Sequence, residues 1–309
     1  IEGNLLISDS APIGNQGSVI KDLRGLSSLT HISGNITIRD VKGLTSLDGL
    51  DNIESCINLQ ILNCKNLTNT DGLGKLKPDA VYVFQNPKLE RLSGFHFDNN
   101  STVGAISVFY CPLLKNIDVF KGIIKTKGIV QITGNTLLKD IEGLRDIQVI
   151  GENRGTTSNE ILEIRNNDNL ESLDPLSNVT TIDYGGIDIE NNPLISDLDG
   201  LSGLIDFKGD IQITNNDNLL NIDGLLNLTE VEKLRIKEND NLKNINGLSN
   251  MILVRRKLHI RKNTSLSDFC GIENLILNGL ICCGYDRYDV KDNAYDPTQQ
   301  DIIDGNCTQ

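Results

Sequence analysis

The chain has 309 residues, 38% of them hydrophobic, no Trp, and a formal net charge of −13. That charge excludes nucleic acid and anionic membrane surfaces as partners, because binding either relies on an excess of Lys and Arg. No apolar run approaches the ~18 residues of a transmembrane segment, and the three His (His31, His96, His259) belong to no nucleophile motif or phosphate loop.

Read from the N-terminus, an apolar anchor recurs at Ile7, Ile38, Ile61, Val83, Val108, Ile132, Ile164, Ile189, Ile213, Ile236 and Ile260. The period is about 24 residues, which is the mark of a solenoid whose rungs stack on their neighbours. Ile1 to Ile7 has the form of Ile32 to Ile38, so the chain begins in mid-rung and a preceding segment is expected. Around each anchor the polarity alternates, as in Leu162-Glu163-Ile164-Arg165, the period of a strand with one buried face. Three residues after most anchors comes Asn: Asn86, Asn135, Asn167, Asn192, Asn216, Asn239 and Asn263. A buried Asn must satisfy its amide, so these are expected to form a structural ladder along the axis. Apolar residues follow at six, nine and twelve after the anchor, such as Leu219, Ile222 and Leu225. Asp-Gly precedes the last of them at Asp48-Gly49, Asp71-Gly72, Asp199-Gly200 and Asp223-Gly224, which predicts turns in which Gly takes a positive φ.

Two anchor intervals are longer than the rest, and the surplus falls in Ser8–Gly17 and Gly151–Asn159. These read as loops projecting from a corner, where repeat proteins often carry recognition. On the solvent face of the long sheet, Leu62, Tyr82, Phe84 and Phe109 fall on three consecutive rungs, an apolar patch suited to a partner or a sugar ring. Arg235, Lys237, His259 and Arg261 form a basic zone further along, a second candidate ligand-binding region. Asp188 and Glu190 lie two residues apart, about 7 Å between Cα atoms. Paired carboxylates can hydrolyse glycosidic bonds, but on a flat face the pair carries no catalytic assignment. Of eight Asn-x-Ser/Thr sequons, the one at Asn263 coincides with a ladder position.

The spacing Asn167 to Leu170 and Asn239 to Leu242, with Asn215-Asn216-Asp217-Asn218-Leu219 as a fuller unit, resembles the receptor L-domain family of leucine-rich-like repeats. That family occurs in the insulin and epidermal growth factor receptors and in fungal cell-wall proteins, and repetitive secreted bacterial surface proteins share the unit. The resemblance covers roughly residues 1 to 275. It implies an all-β, right-handed parallel β-helix-like solenoid of about eleven rungs, an extracellular setting, and binding rather than catalysis. The receptors' cysteine-rich and kinase parts have no counterpart in this sequence, so signalling does not carry over.

The seven Cys fall into two groups. Cys64 and Cys111 stand at ladder positions and Cys56 at another core slot, so all three are expected to be buried thiols. Cys270, Cys282, Cys283 and Cys307 crowd the last 40 residues, and a solenoid end needs a cap. The expected organisation is a solenoid over residues 1–269 and a cap over 270–309 stapled by one or two disulfides, with a short helix over Ile272 to Leu280. A four-cysteine zinc site is the lesser reading, since the adjacent pair lacks the usual two-residue gap; no metal or cofactor is expected. The function expected is a non-enzymatic, secreted or cell-surface adhesion module that binds a protein or glycan through the sheet face or the two loops. A carbohydrate-active enzyme and a structural spacer are the alternatives.

Overall fold

The computed structural model describes residues 1–9, 19–151, 160–183, 185–281 and 287–309. The predicted loops Ser8–Gly17 and Gly151–Asn159 lie, apart from their ends, outside the described residues, as do Cys282 and Cys283. The chain coils into an all-β solenoid dominated by one parallel sheet of 13 strands. In spatial order its body is Leu5–Ser8, Ile36–Arg39, Ser55–Leu62, Lys77–Phe84, Ala105–Phe109, Val130–Thr133, Glu160–Arg165, Gly186–Glu190, Asp210–Thr214, Glu230–Lys237 and Leu253–Arg261. The anchors pair in register throughout, for example Ile38 with Ile61, Ile164 with Ile189 and Ile236 with Ile260. A second parallel sheet of four short strands, Ser101–Val103, Ile123–Thr126, Val149–Ile150 and Thr181–Ile182, backs the middle rungs.

All eleven anchors are therefore in the sheet, yet the described coils number slightly fewer than eleven rungs. Nine of them close through a 3-10 turn, such as Asp199–Leu201 and Asp223–Leu225. The Asp-Gly corner sits in these turns at Asp71, Asp199 and Asp223 and in an ordinary turn at Asp48, and the reason for its Gly differs at most of them from the one predicted. Of the four Gly cited, only Gly49 has a positive φ, at 111°. At Gly72, Gly200 and Gly224 the constraint is closeness. A Cβ on Gly200 would stand 1.8 Å from the Leu173 carbonyl oxygen of the preceding rung, and one on Gly224 1.7 Å from that of Leu198. Side-chain-free backbone at this corner lets the turns stack.

Inside the coil runs one continuous apolar column from Ile7 to Ile302, with nearly every anchor fully buried. Burying an aliphatic side chain contributes about 1.5–3 kcal/mol, so each rung gains chiefly from its few Leu and Ile. A row of asparagines accompanies the column. The Asn216 side chain donates to the Ile189 carbonyl at 2.9 Å and accepts from the Asn192 N–H at 3.0 Å, both on the preceding rung. Asn86, Asn135, Asn167, Asn192, Asn239 and Asn263 do the same one rung at a time. The strand ends one residue past each anchor, where a carbonyl and a nearby N–H leave the sheet pairing. An inward amide supplies both missing partners.

Cys56, Cys64 and Cys111 are free and buried, and burial pushes their thiols up to about 12, 11 and 11. Within the last forty residues Cys270 and Cys307 form a disulfide. This pairing removes two of the four ligands that a zinc site would need. The helix expected over Ile272 to Leu280 is shorter, a 3-10 turn at Cys270–Ile272 running into Glu273–Leu277. A helix not foreseen, Gln299–Ile303, starts with a capping box between Thr298 and Asp301 and buries Ile302. Also unforeseen, Tyr288–Lys291 adds another strand to the long sheet and Asn293 another member to the ladder, accepting from the Asn263 N–H at 3.1 Å. The sequence conceals this strand because the interval from Ile260 to Val290 breaks the period.

Candidate functional site

Side chains on either side of an anchor point away from the core. The sheet register places Leu62 beside Phe84 and Phe84 beside Phe109, and Gln60, Tyr82, Ser107 and Gln131 form the parallel row. Neighbouring rungs stand about 4.8 Å apart, close enough for rings to touch. Phe84 meets Phe109 edge-on with centroids 5.6 Å apart, and Tyr82 meets Phe84 at 6.2 Å. The four predicted residues are thus brought together, each half-buried.

Next to them is a residue that the sequence analysis did not single out. Two positions after the anchor the chain turns its corner through a left-handed residue: Asp40, Asn63, Gln85, Tyr110, Gly134, Asn166, Asn191, Asn215, Glu238 and Lys262. Asn, Asp and Gly tolerate this conformation, whereas a bulky aromatic rarely adopts it. Tyr110 does, at φ 51°, and is 49% exposed. Its ring packs edge-on to Phe109 at 5.3 Å and against Gly134 of the next rung. A Cβ at Gly134 would come within 2.4 Å of the tyrosine Cδ1. The signal was present in the repeat: at this slot Tyr110 alone is aromatic.

Tyr110 stands where two shallow clefts meet. One, of about 640 Å³, lies on the sheet side between Arg39, Asp40, Leu62, Phe84, Phe109 and Gln131. The other, of about 650 Å³, lies around the corner between Lys65, Pro87, Pro112, Gly134, Thr136 and Asp168. Asn63, Gln85 and Tyr110 line both.

Downstream, the same face is closed upon itself. Arg165 forms an ion pair with Asp188 and reaches Glu190 at 3.5 Å and Glu163 at 3.7 Å. Asp188 is 1% exposed, so the carboxylate pair read as facing solvent is half covered. In the basic zone, Asp289 on the unforeseen strand pairs with Arg261 and with Lys257 at 2.9 Å, and lies 2.9 Å from His259 Nδ1. Burial opposes its ionisation, but Lys257 and Arg261 outweigh that and hold the Asp289 carboxyl at about 2. His259 is depressed to about 4, first by burial and then by Arg235, Lys257 and Arg261, against the opposing pull of Asp289. The imidazole is therefore neutral at physiological pH. Lys237 pairs with Glu238 at 3.0 Å. Among the described residues, Arg235 keeps a buried Nε without an acceptor.

An L-domain-like solenoid with an aromatic corner is the class these observations define. Residues 111–200 match the model of the receptor L domain family, which bears out the resemblance read from the Asn-to-Leu spacing. The receptor L domain is a ligand-binding, receptor-type domain. No curated protein matches the chain. Among the described residues, no helix is long and apolar enough to cross a membrane.

Proposed function

We propose that this protein is a non-enzymatic, extracellular recognition or adhesion domain that holds its ligand, a protein or a glycan, on the aromatic rungs. The observation that carries this reading is the cluster Leu62, Tyr82, Phe84, Phe109 and Tyr110, partly open to solvent beside two clefts. Aromatic side chains lose apolar contact when left in water and anchor interfaces when covered. The family match supports ligand binding, and the Cys270–Cys307 disulfide supports an oxidising, extracellular setting. Against an enzyme stands the state of the paired carboxylates: Asp188 is bound by Arg165 and approached by Gln212, and neither described cleft is lined by Asp188 or Glu190.

The test is a binding screen of the intact chain on a glycan array and a panel of extracellular-matrix proteins, repeated with Tyr82→Ala/Phe84→Ala. The double variant should melt close to wild type, because both side chains leave the core column intact, and should lose binding at least several-fold. Unchanged binding would move the site elsewhere, with the loops Ser8–Gly17 and Gly151–Asn159 the next to examine.

A further inference from the structure

We propose that the two clefts flanking Tyr110 bind one neutral, unbranched oligosaccharide, which crosses the corner of the solenoid and stacks on the tyrosine ring. This rests on the reading of the aromatic rungs as the recognition surface, and narrows it to a ligand class.

Three observations point to sugar. The first is size. Each cleft measures about 640–650 Å³, in the range of small-ligand sites. A stable protein partner needs about 800 Å² of surface on each side, and this apolar area ends after a few rungs: the next rung presents the polar Gln131 and Thr133, and the one after it, Glu163 and Arg165, is committed to its own ion pairs. The second is the chemistry of the rim. Asn63 and Gln85 border both clefts, whereas Gln131 at the sheet side already accepts from Ser107 and donates to Glu163, and Asn166 at the corner side already accepts from Asn191. Planar amides beside a ring match a pyranose, which has one apolar face and hydroxyls around its edge that both donate and accept. Asn63 is held in place by donating to Asp40 at 2.7 Å, which leaves its carbonyl oxygen for a hydroxyl. The third is charge. The sheet-side cleft carries one cation and one carboxylate, Arg39 and Asp40, and the corner-side cleft likewise Lys65 and Asp168. Each therefore sums to zero, and in a chain of net charge −13 a polyanionic saccharide gains nothing here.

Tyr110 shares its left-handed backbone with the other corners of the repeat, and its side chain is what sets it apart. A bulky aromatic rarely adopts this conformation. Gly134 leaves room for the ring, and Phe109 supports its edge. Among the described residues no other left-handed corner carries a ring, so packing of the repeat does not demand one.

Tyr110→Asn separates the two roles. Asn occupies the equivalent corner at positions 63, 166, 191 and 215, so the variant should melt at or above the wild-type temperature. Binding would be titrated by isothermal calorimetry with four neutral hexasaccharides: β-1,4-glucan, β-1,3-glucan, α-1,4-glucan and β-1,4-N-acetylglucosamine. A hexagalacturonate serves as the charged control. The wild type should bind at least one neutral hexamer and not the charged one, and Tyr110→Asn should weaken that binding about tenfold or more, the usual loss when a central aromatic contact is removed. Absence of neutral-hexamer binding by wild type, binding of the charged hexamer alone, or equal binding by Tyr110→Asn overturns the proposal. If a matrix protein binds and is lost in Tyr82→Ala/Phe84→Ala while no hexamer binds, the saccharide falls and the recognition surface stands. If nothing binds at that surface, both fall.

Discussion

Adjacent residues at the end of each strand lead opposite lives. Asn216 is buried and its amide completes the backbone pairing of the rung before it, while Asn215, one residue earlier, is exposed at the left-handed corner. From Cys64 onward the inner position is filled by Asn or Cys in rung after rung because its partners are main-chain groups that never vary, while Val41 holds it one rung earlier. The outer position carries Asp, Asn, Gln, Tyr, Gly, Glu and Lys, because the bonds made there, such as Asn63 to Asp40 and Asn191 to Asn166, join side chains that water can replace. Regularity in this molecule therefore marks structure, and a departure at an outer position marks a candidate for function.

The largest expected effect is on the inner column. Asn216→Ala strands the Ile189 carbonyl and the Asn192 N–H in the core, and should destabilise the protein by about 3–4 kcal/mol in a urea titration, two buried groups at about 1–3 each with partial relaxation. Asn215→Gly, which keeps the left-handed corner accessible, should change stability by less than about 0.5 kcal/mol. Equal effects would erase the distinction between the two positions.

That inner position was also the easiest to read from sequence. Anchors, ladder asparagines and core thiols follow a period, and a period survives because each rung meets the same neighbours. The aromatic rungs were legible for a related reason, since alternation about Val83 assigns Tyr82 and Phe84 to the outer face. Tyr110 escaped notice because its role depends on a backbone conformation that alternation does not report. The pairing of the basic zone escaped because Asp289 arrives from a strand outside the period. The four Asp-Gly corners were located correctly, but at three of them the physical reason was wrong: closeness between rungs, and not positive φ, excludes a side chain.

The C-terminal end should be the next most sensitive region. The Cys270–Cys307 bridge closes a 37-residue separation, and Cys270→Ser/Cys307→Ser should cost about 3 kcal/mol, with the loss appearing first as faster amide exchange in Leu275 and Ile302. Exchange that accelerates equally near Ile7 would show that the bridge serves the whole coil and not its end.

The closed downstream face has a pH signature that the aromatic rungs lack. His259 is lowered to about 4 in the folded protein, below the ~6.5 of an unfolded chain. The unfolded state thus binds the extra proton between these values, so stability is full above about pH 6.5 and declines as pH falls towards 4. Comparison of wild type with His259→Gln at pH 7 and pH 4 should show about 3 kcal/mol more pH-dependent loss in wild type than in the variant. Parallel curves for the two proteins would contradict the burial of a neutral imidazole beside Asp289.

The smallest effect on stability, and the largest on function, is expected at the outer corner. The most direct test measures Tyr110→Asn and Asn216→Ala side by side, each for its melting temperature and, below its melting transition, for binding to whichever neutral hexasaccharide the wild type holds best. The account predicts opposite outcomes: Tyr110→Asn melts no lower than wild type and loses binding, while Asn216→Ala melts well below wild type and retains binding. A Tyr110→Asn protein that is destabilised like Asn216→Ala, or that binds like wild type, would contradict the assignment of recognition to the aromatic corner.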